Sequence, residues 1–485
     1  MQSSPKTPAP AAAKDPEDLL SLPASSVDPA GAALISARLD RLPATHYIWM
    51  LVLRLSLGGC FEFYDLFLPA YIGPGLVRSG LFSSASVTFF GFGGLASFVA
   101  ASFAGLFIGT IVFGFVADRF GRRVVFVCSL LWYTAATVVM AFQATAAAID
   151  LWRLIAGIGI GVELVTIDAF IAELVPKHLR GRAFAFNQVV QFSSIPVIAL
   201  LAWRLVPLRP FGLDGWRWVA LIGAVSAVTV WFLQRGLPES PRWLIAKRRL
   251  READRVTAMM EGRVGVEGDS PLPPPEVVAA EETHGSLLEV LHAPYFGRTL
   301  MMAIFNLFQT AGFYGFSAWV PTLLIAAGIT TVSSLHYSFI IAIASPIGPL
   351  LAFAVADRTE RKWQVVGSAL SVALIGLLFA HQVQPVWLIA FGVLLTCANN
   401  WMSFAFHAYQ AELFPTRVRA RAIGFVYSWS RFSGIFTSLV IGVLLRGFGV
   451  GGVFVAIACS MLIAVLSVGL FGPRTSGLAL EAISH

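Results

Sequence analysis

Gly114-Phe115-Val116-Ala117-Asp118-Arg119-Phe120-Gly121-Arg122-Arg123 is a charged turn set between two apolar runs. A hydrocarbon core of about 30 Å takes about 20 helical residues to cross, and each flanking run is long enough to do so. The stretch therefore reads as a tight loop pinned between two membrane spans. It has an echo in Ala356-Asp357-Arg358-Thr359-Glu360-Arg361-Lys362, where Asp357 stands 239 residues after Asp118. A second motif repeats at the same distance. Ala172-Glu173-Leu174-Val175-Pro176, followed by Arg180 and Arg182, returns as Ala411-Glu412-Leu413-Phe414-Pro415, followed by Arg419 and Arg421, and Glu412 is again 239 residues after Glu173. Two motif pairs at one offset predict a duplicated bundle with its halves in parallel orientation.

Composition agrees. Of 485 residues, 57% are hydrophobic and 13% charged, about half the charge of a soluble domain. The chain reads as a polytopic membrane protein. Its net charge of +7 gathers in short loops, which orients spans, and no basic face with interleaved aromatics suggests a nucleic-acid partner. Cys60, Cys128, Cys397 and Cys459 lie in apolar runs without CxxC spacing, so buried free thiols are expected, and neither disulfides nor a metal site. P-loop, HExxH and GxSxG motifs are missing, so no enzyme activity and no cofactor are expected.

Outward from the opening stretch, twelve spans are expected at 47–72, 90–116, 124–142, 149–174, 183–205, 218–233, 299–326, 336–356, 364–379, 385–413, 422–445 and 452–471. They define two six-helix bundles, 45–236 and 298–472. Residues 1–44 read as a disordered tail with a short helix near 34–42, residues 237–297 as a connector with one or two short helices, and residues 473–485 as a tail. Loops after the even-numbered spans hold most of the Lys and Arg. The positive-inside bias then places that face and both termini in the cytoplasm of a cell (inner) membrane.

The motifs carry a resemblance. Gly114-x-x-x-Asp118-Arg119-x-Gly121-Arg122-Arg123 resembles the loop 2–3 signature of the major facilitator superfamily, and Arg153 with Gly157-x-Gly159-x-Gly161 its fourth-span motif. Pro238-Glu239-Ser240-Pro241-Arg242-Trp243-Leu244 is similar to the sugar-porter signature after span 6. Glu173-x-x-Pro176-x-x-x-Arg180-Gly181-Arg182 and Glu412-x-x-Pro415-x-x-x-Arg419 resemble sugar-porter loops 4–5 and 10–11. Glu62-Phe63-Tyr64-Asp65 is similar to an acidic element of metabolite:proton symporters. The paired glutamines of a sugar porter's span 7 are replaced by Asn306 and Gln309, and the Gly-Pro element of drug antiporters is missing from span 5. The resemblance implies an all-α carrier working by alternating access, with Arg153 near the cavity and linked to proton transfer.

The candidate site residues follow. Glu62 and Asp65 are three apart on one helix face, where carboxylates are costly unless paired or protonated. They are expected to carry the coupling proton together with Arg153, Glu163 and Asp168. The alternative is a fixed ion pair to Arg54 or Arg153. Glu163 and Asp168, five apart, cannot share a face, so one is expected at the cavity and one against a neighbouring helix. Gln188, Gln191, Asn306, Gln309, Asn400, Trp401, His407, Tyr314 and Arg431 are candidate substrate contacts. Arg431 either clamps a substrate carboxylate or pairs with Glu62, Asp65 or Glu163. The amides could equally be glue between helices. Asp118, Arg119, Arg122, Arg123, Glu173, Arg182, Asp357, Arg358, Glu412 and Arg421 form a cytoplasmic gate set. Gly105, Gly109 and Gly114, and Ser345, Gly348 and Ala352, predict close helix crossings.

These observations converge on a secondary carrier: proton-coupled uptake of a small polar metabolite, an organic acid ahead of a sugar or polyol, with a proton-antiporting exporter as a further alternative. The expected partners are substrate, protons and lipid, and the expected state is a monomer.

Overall fold

The computed structural model describes residues 29–82, 94–112, 116–234, 236–267, 271–276, 287–355, 359–414 and 416–475. All regular structure among them is helical. Span 1 is His46–Arg78, span 2 Leu95–Val112, span 3 Arg122–Ala141, span 4 Ala146–Leu174, span 6 Gly215–Gln234, span 9 Arg361–Ala380 and span 10 Pro385–Glu412. Spans 11 and 12 run as one helical stretch, Thr416–Phe471, turned at Gly449, whose φ of 65° favours glycine.

Spans 5, 7 and 8 are each broken where the sequence reads as continuous. They run as Arg180–Phe192 and Ser194–Leu205, Phe296–Ser317 and Val320–Ala326, and Thr331–Ala342 and Ile347–Val355. The cause is the same each time. Pro196, Pro321 and Pro346 sit four residues after Phe192, Ser317 and Ala342, and a proline has no N–H to donate to that carbonyl.

The halves repeat one another in detail. Spans 2 and 4 cross so closely that a Cβ on Gly109 would overlap the carbonyl of Ile158, with Gly161 alongside. Spans 8 and 10 cross at Gly348 against Cys397 and Asn400. Gly348, Cys397 and Asn400 each stand 239 residues after Gly109, Ile158 and Gly161. Close approach at small residues is how helices gain contact in lipid, where no hydrophobic effect drives them together. Between the halves, Phe103 and Phe107 of span 2 meet Tyr314 and Phe432 at ring distances of 4.7 and 5.6 Å. Trp203 of span 5 stacks on His336 of span 8 at 4.3 Å.

The described residues begin at Pro29, with a helix longer than the short one expected near 34–42. Helix Pro29–Asp40 buries Ile35 and Leu39 against the connector. Arg38 pairs with Asp254 (2.5 Å) and Glu261 (2.6 Å), Arg41 with Glu261 (2.7 Å), and Asp40 with Arg242 (2.5 Å). Burial pushes the Glu261 carboxyl up, but the two guanidiniums outweigh it and hold it below its ordinary value. The connector forms Pro241–Ala246, Leu250–Glu267 and Leu287–Val290. The four cysteines are free, but Cys128 and Cys459 are exposed, a correction to the buried thiols expected. An apolar stretch in a membrane faces lipid as readily as the core, and composition alone cannot tell which.

Candidate functional site

Arg431 is the buried cation at the seam of the halves. Its Nη1 donates to the Tyr314 hydroxyl (2.6 Å) and its Nη2 to that of Tyr427 (2.9 Å), while Nε has no partner. The guanidinium lies 4.6 Å from the Tyr427 ring centre. His407 faces the same ring at 5.1 Å, with its Nδ1 2.6 Å from the Ser403 carbonyl oxygen. Spans 7, 10 and 11 thus build one polar cluster. Across the seam the charges of Glu62 and Asp168 reach Arg431, both beyond ion-pair distance.

In the N-terminal half the acids separate. Asp65 accepts from Arg153 Nη1 (3.1 Å) and from Thr137 (3.1 Å), its carbonyl accepts from Arg153 Nη2 (2.5 Å), and Arg153 Nε donates to Ser102 (2.8 Å). This is the ion pair weighed as the alternative for Asp65. Glu62 does not join it. It is fully buried, as is Glu163, and neither carboxylate has a hydrogen-bond partner among the described residues. Asp168 is exposed and Glu163 is buried.

The amides divide as well. Asn306 donates to the Met302 carbonyl (2.9 Å), Gln309 to Ser430 (3.3 Å) and Asn400 to the Ser345 carbonyl (2.9 Å), all within the C-terminal half. The Gln309 and Asn400 donors serve as glue between helices, while that of Asn306 stays on its own helix. Gln191 packs on Gly59, and Gln188 keeps its carbonyl oxygen unpartnered. Trp401 is half-buried at the Gly348 crossing.

On the basic face, Arg122 pairs with Glu173 (2.9 Å) and Asp118 (2.6 Å). Arg361 pairs with Glu412 (3.1 Å), and both residues stand 239 after Arg122 and Glu173. The echoed motifs therefore build the same ion pair twice. Arg119, Arg182 and Arg421 are exposed, and Asp357 and Arg358 lie outside the described residues. Glu239 was missed as a partner: it accepts from the backbone N–H groups of Arg122 (3.0 Å) and Arg123 (3.2 Å) at the start of span 3. There the positive end of the helix attracts a carboxylate. Gly121, at φ 105°, leaves room for it. Thr137, Ser102 and Ser430 were missed too, because hydroxyls inside spans are too common to single out.

Two echoed bundles meeting at a polar, charged seam define a secondary carrier of the major facilitator fold. The chain belongs to the sugar (and other) transporter family, whose model matches residues 56–485. YyaJ of Bacillus subtilis, named for metabolite transport, is 29% identical over 90% of this chain and 95% of its own length. The niacin transporter NiaP of Acinetobacter baylyi is 26% identical over 92% and 99%. The crystal structure of a D-xylose–proton symporter matches with a TM-score of 0.69 at 21% identity, covering 89% of this chain and 100% of that one. The protein is a multi-pass membrane transporter of small metabolites, not an enzyme.

Proposed function

We propose that this carrier takes up a small organic acid together with protons, by rocking of its two halves about the seam. The observation that carries the reading is Arg431: a buried guanidinium whose bonded partners are two neutral phenols, with Nε still unpartnered. A carboxylate is the ligand that such a group is missing, and two parallel N–H···O bonds would orient it. Tyr314, Tyr427 and His407 supply flat faces and hydroxyls for a ring beside it. The acid reading is favoured over the sugar reading because the span 7 amide donors of Asn306 and Gln309 are engaged inside their own half.

Asp65 with Arg153 is the proposed coupling centre. Protonating Asp65 frees Arg153 from its counter-charge, a change that can bias a rocking equilibrium by the roughly 1–3 kcal/mol typical of coupling between sites. Glu62, Glu163 and Asp168 extend the acidic side toward Arg431. The pairs Arg122–Glu173 and Arg361–Glu412 are proposed to brace the basic face in one state and part in the other. We assign that face and both termini to the cytoplasm of the inner membrane, and read the carrier as a monomer.

The test is uptake into proteoliposomes of a panel containing nicotinate, other monocarboxylates, xylose and a polyol, with and without an inward proton gradient. Gradient-dependent accumulation of an acid is expected. Accumulation of the sugars alone would replace the reading.

A further inference from the structure

We propose that Tyr133 of span 3 is a proton relay between two carboxyl centres of the N-terminal half, Asp65 on one side and the Glu62–Glu163 pair on the other. This rests on the proton-coupled reading above and deepens it.

The geometry comes from helix contacts. Span 1 meets Phe126 of span 3 at Gly58, and Glu62 lies one turn further along that face of span 1. Span 4 meets the backbone of Tyr133 at Gly159, and Glu163 lies one turn further along that face of span 4. Phe126 and Tyr133 are seven apart, so they share a face of span 3. The two glutamates therefore converge on one strip of span 3. Both are 0% exposed and Tyr133 is 2% exposed. None of the four carboxylate oxygens, nor the Tyr133 hydroxyl, closes a hydrogen bond among the described residues. Yet that hydroxyl lies within Glu163's reach. Unpartnered polar atoms this deeply buried call for a role or a bound water.

On its other side Tyr133 lines a small cavity with Asp65, Thr134 and Thr137, walled by Ala220, Gly223 and Ala224 of span 6. The space suits a single water molecule. Asp65, Tyr133 and the unpartnered Thr134 hydroxyl would supply two to three hydrogen bonds, the number a buried water needs. The other titratable or charged groups toward Tyr133 are Cys60 and Tyr64 on span 1, the Tyr64 hydroxyl donating to the Val219 carbonyl (2.7 Å), and Arg153 beside Asp65; span 6 adds none among the described residues at this cavity.

The step balances. Protonated Asp65 passes its proton to the water, the water passes one to the Tyr133 oxygen, and Tyr133 gives its own hydroxyl proton to Glu163. Asp65 becomes the carboxylate that Arg153 holds, Glu163 becomes neutral, and tyrosine and water are restored. The proton thus travels from the ion pair to the glutamates nearest the seam without crossing as a free charge.

The experiment uses the whole carrier in proteoliposomes with nicotinate as probe, or the panel acid with the highest flux. It compares gradient-driven accumulation with equilibrium exchange, in which no net proton need move. In Tyr133→Phe the ratio of accumulation to exchange should fall about tenfold or more, as loss of a positioned proton-transfer group does. Thr134→Val, nearly isosteric, should lower the same ratio by a smaller factor and keeps the test alive if Tyr133→Phe folds poorly. Wild-type ratios in both variants would overturn the relay while leaving proton coupling intact. No gradient-driven accumulation in the wild type would overturn the coupling reading, and the relay with it.

Discussion

Spans 3, 4 and 5 and spans 9, 10 and 11 superimpose in sequence at one offset, and the comparison separates scaffold from chemistry. The scaffold is shared: the crossing at Gly109 returns at Gly348, and the pair Arg122–Glu173 returns as Arg361–Glu412. The buried charges are not. Where span 4 has Arg153 and Glu163, span 10 has Gly392 and Met402. Tyr133 of span 3 answers to Val372, and Arg431 of span 11 answers to Phe192 of span 5. Asp168 answers to His407. Duplication supplied the frame, and the halves then divided the work, with acids on one side of the seam and a cation among phenols on the other.

The comparison can be broken at several points. Removing the acid from the N-terminal ion pair is the harshest. Asp65→Asn should leave Arg153 an uncompensated buried charge, lowering stability by about 3 kcal/mol. It should abolish gradient-driven accumulation, measured by thermal unfolding in detergent and by uptake. Full accumulation in that variant would remove Asp65 from the coupling centre. On the opposite side, Arg431→Gln should cut acid uptake by about 100-fold, since a buried charged contact is worth about 2–5 kcal/mol. Exchange of a neutral solute, if any is carried, should suffer far less.

The shared scaffold gives a subtler contrast. Gly109→Ala and Gly348→Ala should each destabilise by about 1–3 kcal/mol through overpacking. Gly109→Ala should cost more, because its new methyl would strike the Ile158 carbonyl, whereas Gly348 faces the Asn400 side chain first. Equal midpoints in thermal unfolding would mean that the crossings are looser than they look.

The smallest effect belongs to the clasp between Pro29–Asp40 and the connector. Glu261→Gln should speed hydrogen exchange across Pro29–Asp40 about fivefold at neutral pH, as loss of about 1 kcal/mol does. Its carboxyl is held below its ordinary value, so the clasp is fully stabilising above about pH 4.3, the unfolded value, and weakens as pH falls through the folded one. Protection of Pro29–Asp40 in the wild type, corrected for the intrinsic pH dependence of amide exchange, should therefore fall on acidification below that point and not on the alkaline side.

Much of this was legible from residue order. Asp118 and Glu173 with their echoes announced the duplication, and the prolines that break spans 5, 7 and 8 are visible once a missing donor is counted against the carbonyl four residues back. Arg431 stood out because a cation inside oil is rarely idle. Other assignments were not legible. Glu62 and Asp65 share a helix face, yet one turn of difference in depth sends Asp65 to Arg153 and leaves Glu62 against a second glutamate. Gln309 looks like a solute ligand by type, and only the position of Ser430 on span 11 reveals where its donor goes.

By itself the sequence determined the spans, their pairing into halves and the roster of costly charges, because hydropathy, loop charge and repeat distance are local or periodic properties of a chain. Partners one turn away on the same helix, such as Met302 for Asn306 or Tyr427 for Arg431, follow from spacing, but every partner on another helix was decided by the tertiary structure alone. Partnership depends on which faces of helices, dozens to hundreds of residues apart, are brought within about 3 Å, the length of a hydrogen bond, and no spacing along one helix encodes that.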